Sequence, residues 1–192
     1  MKIGLYFGSF NPIHIAHLII ANHILNVVDL NKIWFIVSPQ NPLKKSHTLL
    51  NGYQRLHLVK LAIEGDVRLH ASNVEFNLPI PSYTIDTLVY LKEQYPKNEF
   101  LLIMGSDSFQ NIHKWKNYAK LLNENKIIIY ERPGFSFKKQ IENQIVIERP
   151  PLLDISSTSI RNAISKGESI RYLVPDKVRE EIEGSGYYKK NA

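Results

Sequence analysis

The chain has 192 residues, 44% of them hydrophobic, and a formal net charge of +6. That length supports one domain with its own core, and the absence of cysteine excludes disulfides, a thiolate nucleophile and a cysteine zinc site. No apolar run approaches the length of a membrane span, and Gly8, Asn11 and Pro12 interrupt the apolar start where a signal peptide would continue, so a cytoplasmic location is the default expectation. The positive charge suits an anionic partner such as a nucleotide, RNA or an acidic surface. Part of it is a tail effect of Lys189 and Lys190, and no basic stripe interleaved with aromatics marks a nucleic-acid interface.

Strand-like and helical patterns alternate along the chain. Ile3 to Phe7 reads as a buried strand, followed by Gly8-Ser9-Phe10-Asn11-Pro12-Ile13-His14-Ile15-Ala16-His17 and a helical run from Leu18 to Leu25. Asn11 is expected to cap that helix, with Pro12 in its first turn. Lys32 to Val37 is a second strand, ending at Ser38-Pro39, and the polar segment Gln40 to Asn51, with Lys44 and Lys45, is a loop. Tyr53 to Glu64 is helical, with Leu56, Val59 and Ile63 on one face, and Val67 to Ala71 is a short strand. Asn77 to Ser82 is a proline-bearing connection, and Thr84 to Gln94 is a helix with Ile85, Leu88 and Leu91 inward. Phe100 to Met104 is a strand running into Gly105-Ser106-Asp107, and Phe109 to Leu122 is a helical region. Lys126 to Tyr130 is a further strand, ended by Arg132-Pro133-Gly134, and Gln144 to Ile147 is a last, weaker one. Helices over Ser157 to Lys166 and Asp176 to Gly184 close the chain.

Strand alternating with helix, without repeats or a linker-like shift in composition, predicts a single α/β domain over residues 1–192. Its expected architecture is a Rossmann-like, doubly wound and mostly parallel sheet with helices on both faces. In such a sheet ligands bind beyond the carboxyl ends of the strands, where the strand order reverses. Gly8 to His17, Ser38 to Lys45, Gly105 to Asp107 and Arg132 all fall at strand ends.

Two stretches carry the chemistry of phosphate binding. If a helix starts at Asn11-Pro12, His14 and His17 share one face of its first turn, beside unpaired N–H groups and the positive end of the helix dipole. Ile155-Ser156-Ser157-Thr158-Ser159-Ile160-Arg161 opens another helix with four hydroxyl residues, and Arg161, one turn in, can reach back to that end. Neither a Gly-x-Gly-x-x-Gly nor a Walker loop occurs, His23, His47, His57, His70 and His113 show no ligand spacing, and no protein metal site is expected.

The first stretch resembles the Gly-x-Phe-x-Pro-x-His-x-Gly-His signature of the nucleotidyltransferases. Gly8, Phe10, Pro12, His14 and His17 match, while Ala16 stands where that signature has glycine. The second resembles their Ile-Ser-Ser-Thr-x-x-Arg signature in full, about 140 residues further on and in the right order. Three more segments are similar to the bacterial nicotinate-nucleotide adenylyltransferases: Ser82-Tyr83-Thr84-Ile85-Asp86-Thr87-Leu88, Gly105-Ser106-Asp107, and Trp115. The resemblance runs from Lys2 to about Tyr187 and thins over Gln40 to Leu50, where Asn41-Pro42-Leu43-Lys44 leaves only Lys44 to carry over.

The resemblance implies transfer of the adenylyl group of ATP to nicotinate mononucleotide, giving nicotinate adenine dinucleotide and pyrophosphate in NAD biosynthesis. Pantetheine-phosphate and nicotinamide-mononucleotide adenylyltransferases are the alternatives. It implies His14 and His17 as catalytic residues. Gly8, Ser9, Phe10, His17, Lys44, Gly105, Asp107, Ser157, Thr158 and Arg161 are implied for ATP. Tyr83, Thr84, Trp115 and Arg132 are implied for the mononucleotide. Magnesium is expected to enter as Mg-ATP, with no nucleic acid or membrane as partner, and self-association is left open.

Overall fold

The protein is described here from a computed structural model covering residues 1–39, 49–135, 142–151 and 153–189. Six strands form one all-parallel sheet: β1 (Lys2–Gly8), β2 (Lys32–Val37), β3 (Leu69–Ser72), β4 (Glu99–Gly105), β5 (Lys126–Tyr130) and β6 (Gln144–Ile147). Their spatial order is β3-β2-β1-β4-β5-β6. The chain builds outward from β1 on one side and then returns to lay β4 on the other. The order therefore reverses between β1 and β4, where Leu5 lies opposite both Trp34 and Leu102.

Parallel strands need crossovers, and these are the helices α1 (Ile15–Val27), α2 (Gly52–Ala62), α3 (Thr84–Gln94), α4 (Ser106–Gln110) and α5 (Tyr118–Glu124), with α6 (Ser157–Ser165) and α7 (Asp176–Ser185) closing the chain. The strands read as continuous apolar runs because both faces are covered. Residues alternate between two cores. Tyr6, Phe35, Ile103 and Ile128 point to one, filled from α1, α2, α6 and α7 by residues such as Ile24, Leu58, Ile160 and Val178. Leu5, Ile36, Leu102 and Ile129 point to the other, filled by Leu88, Leu91, Phe109 and Leu121. Among the described residues no helix is long and apolar enough to cross a membrane.

Two expectations are corrected. Helix α1 begins at Ile15 rather than at Pro12, with His14 as its N-cap, so Asn11 and Pro12 belong to the preceding turn. Asn11 does not cap: its side-chain oxygen accepts hydrogen bonds from the Leu50 N–H (3.2 Å) and the Tyr188 hydroxyl (2.8 Å). The region Phe109 to Leu122 is not one helix. It divides into α4, a 3₁₀ turn over Ile112–Lys114 and α5, with Asn117 in the left-handed conformation at the break (φ 52°).

Candidate active site

The carboxyl ends of β1 and β4 open onto the crevice created by the reversal of strand order, and the residues there are shaped by two glycines. A Cβ on Gly8 would stand 2.7 Å from the Phe10 ring, so only glycine lets that ring fold back under the strand end, with Phe10 itself at φ 45°. A Cβ on Gly105 would stand 2.5 Å from Asp107 Oδ1 and 2.9 Å from Arg132 Cδ. Asp107 and Arg132 form an ion pair of 3.0 Å, and the Arg132 N–H donates to Ser106 Oγ at 2.9 Å. Beneath them the hydroxyls of Tyr6 and Tyr130 meet at 3.0 Å.

His14 and His17 occupy the start of α1, and their rings stack at 3.7 Å between centroids with a 32° tilt. The His14 backbone N–H donates to His17 Nδ1 at 3.2 Å. A neutral His17 therefore carries its proton on Nε2. Burial pushes His14 down to about 4, helped by the nearby Arg132 cation. Burial also holds His17 well below the ordinary imidazole range, with His14 and Arg132 adding to the effect. Both rings are thus neutral at pH 7. His14 is 5% exposed, and its Nδ1 has no hydrogen-bond partner among the described residues, as is true of Asp107 Oδ1. The helix start offers fewer free N–H groups than expected, because the Ile15 N–H already donates to the Leu173 carbonyl at 3.0 Å. Ala16 lies in the first helical turn, where alanine is the best helix former.

The two nucleotidyltransferase-like stretches meet. Ser157 Oγ donates to the Pro12 carbonyl (2.9 Å), and Arg161 reaches back to donate to the Asn11 carbonyl (2.7 Å) and to Thr158 Oγ1 (3.2 Å). Ser156 caps α6 by accepting from the Ser159 N–H at 3.0 Å. The hydroxyl proton of Ser157 is spent on Pro12. Toward a ligand this corner therefore offers mainly the first backbone N–H groups of α6, the Thr158 hydroxyl and the remaining N–H groups of Arg161.

Tyr83 and Thr84 lie at the start of α3 as N-cap and first helical residue. Trp115 is half-buried, its ring packed on the second core. The two segments are tied together by Lys116, whose ammonium pairs with Asp86 at 2.8 Å and lies 4.7 Å from the centre of the Tyr83 ring. Arg132, expected with this group, is held by Asp107 and lies close enough to His14 and His17 to depress both. Lys44 falls outside the described residues. Among the described residues no cluster of three or more His, Asp or Glu side chains could hold a metal ion.

Two buried charges escaped the sequence reading. Arg55, on α2, is fully buried and donates to four carbonyls: Ser9 (2.6 Å), Ser38 (2.8 Å), Pro39 (2.9 Å) and Leu50 (2.9 Å). It joins the end of β1 to both flanks of residues 40–48. Its signal was its place among Leu56, Leu58 and Val59, where a solvated arginine does not belong. Glu75, 2% exposed in the 3₁₀ turn Val74–Asn77, accepts from the hydroxyls of Thr87 (2.8 Å) and Ser82 (3.0 Å), with the Ser38 side chain close enough to favour its charged form.

Comparison with known proteins agrees with this geometry. The cytidylyltransferase-like family model matches residues 5–163. The chain is 49% identical, over 99% of its length and all of the relative's, to the Flavobacterium psychrophilum protein named "Probable nicotinate-nucleotide adenylyltransferase". It is 46% identical to the Bacteroides fragilis protein of the same name, over 94% of this chain and 90% of that one. Among solved structures it resembles Plasmodium falciparum nicotinic acid mononucleotide adenylyltransferase complexed with NaAD. The TM-score is 0.85 at 25% identity, covering 99% of this chain and 98% of that one. A glycine-shaped crevice at the reversal of strand order, a stacked histidine pair and a hydroxyl-rich helix start stitched to it, read with these matches, place the chain in the cytidylyltransferase-like family, among the nicotinate-nucleotide adenylyltransferases.

Proposed function

We propose that this chain, as a single transferase domain, moves the adenylyl group of ATP onto nicotinate mononucleotide. An oxygen of the mononucleotide's 5′-phosphate attacks the α-phosphorus of ATP. The new P–O bond forms as the bond to the β-phosphate oxygen breaks, and pyrophosphate leaves with that electron pair. Phosphate is an adequate nucleophile and pyrophosphate a good leaving group, so the protein's task is alignment and charge stabilisation.

The observation that carries this reading is the stacked His14–His17 pair, bordered by Arg132 and stitched to the start of α6. His17, with its proton on Nε2, donates to the α-phosphate as charge develops there, and His14 orients a phosphate beside it. Gly8, Ser9 and Phe10 shape the turn on which the phosphates lie. The N–H groups of Ser157 and Thr158, the Thr158 hydroxyl and Arg161 hold the β- and γ-phosphates, with Lys44 assisting. Gly105 and Asp107 line the adenosine, where the unpartnered Asp107 Oδ1 accepts a hydroxyl or amino hydrogen. Of the groups named here only Asp107 is anionic, and it is paired with Arg132, so a magnesium ion would be held by the triphosphate's own oxygens.

Tyr83, Thr84 and Trp115 take the mononucleotide, with Arg132 at its phosphate. The acid is favoured over the amide because Lys116 brings a cation to this segment, paired with Asp86 Oδ2 and 4.7 Å from the centre of the Tyr83 ring. The experiment is pyrophosphate release from Mg-ATP with nicotinate mononucleotide, nicotinamide mononucleotide and phosphopantetheine as rival acceptors. The highest kcat/KM is expected for nicotinate mononucleotide. Equal values for acid and amide would overturn the acid preference, and release only with phosphopantetheine would overturn the acceptor assignment.

A further inference from the structure

The acceptor segment Tyr83–Thr84 does not stand alone: the hydroxyls on either side of it, Ser82 and Thr87, converge on one carboxylate. We propose that Glu75 is a positioning residue for the acceptor half of the site, fixing the start of α3 against the carboxyl end of β2. The proposal rests on the reading that Tyr83 and Thr84 take nicotinate mononucleotide.

The geometry uses both oxygens of the carboxylate. Oε2 accepts from Ser82 at 3.0 Å and Oε1 from Thr87 at 2.8 Å, so the four residues between them are held at both ends. The Ser38 side chain, at the strand end on the other side, lies close enough to favour the charged carboxylate. Ser38 is itself fixed: its N–H donates to the Gly8 carbonyl at 3.0 Å, and its carbonyl accepts from Arg55 at 2.8 Å. Arg55 in turn holds Ser9. Hydrogen bonds thus run from the turn after β1 through Arg55 to Ser38, and from Glu75 to the residues flanking Tyr83 and Thr84, with the Ser38 side chain beside the carboxylate between them.

Among the described residues no cation pairs with Glu75, and such a buried carboxylate is costly unless its lone pairs are filled. The hydroxyls of Ser82 and Thr87 each fill one, on opposite oxygens, with the Ser38 side chain nearby. Thr87 Oγ1 also lies 3.3 Å from the Tyr83 carbonyl, so the carboxylate competes for that hydroxyl and fixes where it points. Removing Glu75 frees Ser82 and lets Thr87 fall back on the Tyr83 carbonyl. That loosens the acceptor segment while leaving the turn after β1 to Arg55.

The test compares Glu75→Ala and Glu75→Gln in the full chain, measuring KM for each substrate with the other saturating, and the Kd of nicotinate mononucleotide by calorimetry. For Glu75→Ala, the KM and Kd of the mononucleotide should rise by about tenfold or more, with the KM of ATP within about twofold of wild type. Glu75→Gln should recover most of the loss, because one amide oxygen still accepts and the hydroxyls can turn to accept from the NH₂. An equal rise in both KM values, a fall in kcat with both KM values unchanged, or no change at all would each overturn the proposal. Should Glu75→Ala fail to fold, Thr87→Val must give the same split between the two KM values, and an equal rise in both there would refute it. The wild-type titration separates the two readings. Failure of the wild-type chain to bind nicotinate mononucleotide sinks the acceptor assignment, whereas tight binding by both wild type and Glu75→Ala sinks only the role of Glu75.

Discussion

Acidification should destabilise this fold through His14, and by an amount that can be worked out. In the unfolded chain an imidazole titrates near 6.5, whereas burial and Arg132 bring folded His14 to about 4. A base whose folded value is depressed contributes stability that is complete above the unfolded value and is lost as pH falls toward the folded one. At pH 5 the unfolded chain has taken up a proton at this residue that the folded chain refuses. Over the drop from pH 7 to pH 5 this costs about 2 kcal/mol, or roughly 1 M in urea midpoint at a slope of about 2 kcal/mol/M. His17 is depressed in the same direction and adds to the loss. Glu75 opposes it, because burial raises its carboxyl despite the nearby hydroxyls of Thr87, Ser38 and Ser82, and a raised acid is favoured by low pH. The clean measurement is therefore a difference: urea midpoints of wild type and His14→Gln at pH 7 and pH 5. The variant should lose about 2 kcal/mol less than wild type over that interval. Parallel losses in the two proteins would show that His14 is not held neutral by the fold, and the argument for a neutral imidazole pair at pH 7 would fail with it.

Replacing His17 by alanine should lower turnover by about a hundredfold or more with the fold intact, the scale of losing one preorganised donor to developing charge; near wild-type turnover would remove His17 from the chemistry. Arg161→Ala should raise the KM for ATP by roughly tenfold while barely changing the mononucleotide's Kd, and an unchanged ATP affinity in titrations would refute the β/γ-phosphate role. Arg55→Met should cost about 3 kcal/mol or more, because four carbonyls lose a buried donor together. A melting temperature within a degree or two of wild type would show that those carbonyls find other partners.

Much of the architecture was legible because the strands are buried on both faces. Runs such as Lys32 to Val37 and Lys126 to Tyr130 have no polar interruption, and their observed bounds agree with those expected. The start of α6 was legible for a local reason, since serine and threonine caps act within a few residues. The start of α1 was not. Asn11-Pro12 looks like a cap and first helical residue, but the Asn11 side chain is engaged by Leu50 and Tyr188, and the turn is fixed from afar by Ser157 and Arg161. The break between α4 and α5 was hidden because hydrophobic spacing continues across it, while the left-handed Asn117 leaves little trace in sequence. Arg55 and Glu75 were missed because their partners are carbonyls and hydroxyls brought in from other elements, which no spacing rule encodes.

The bonds from Ser157 and Arg161 to the turn after β1 join residues 145 and 150 positions apart, and Tyr188 reaches Asn11 across 177. On a ribosome adding about 5–20 residues per second, the turn with its histidines emerges about 7–30 s before the helix proposed to hold the triphosphate. If α6 holds the β- and γ-phosphates as proposed, the nascent chain lacks that part of the ATP site through this interval, and ATP does little to template folding of the first half. Nucleotide capture by stalled chains should appear abruptly once the tunnel has released residues past Tyr188, rather than growing with each strand added to the sheet.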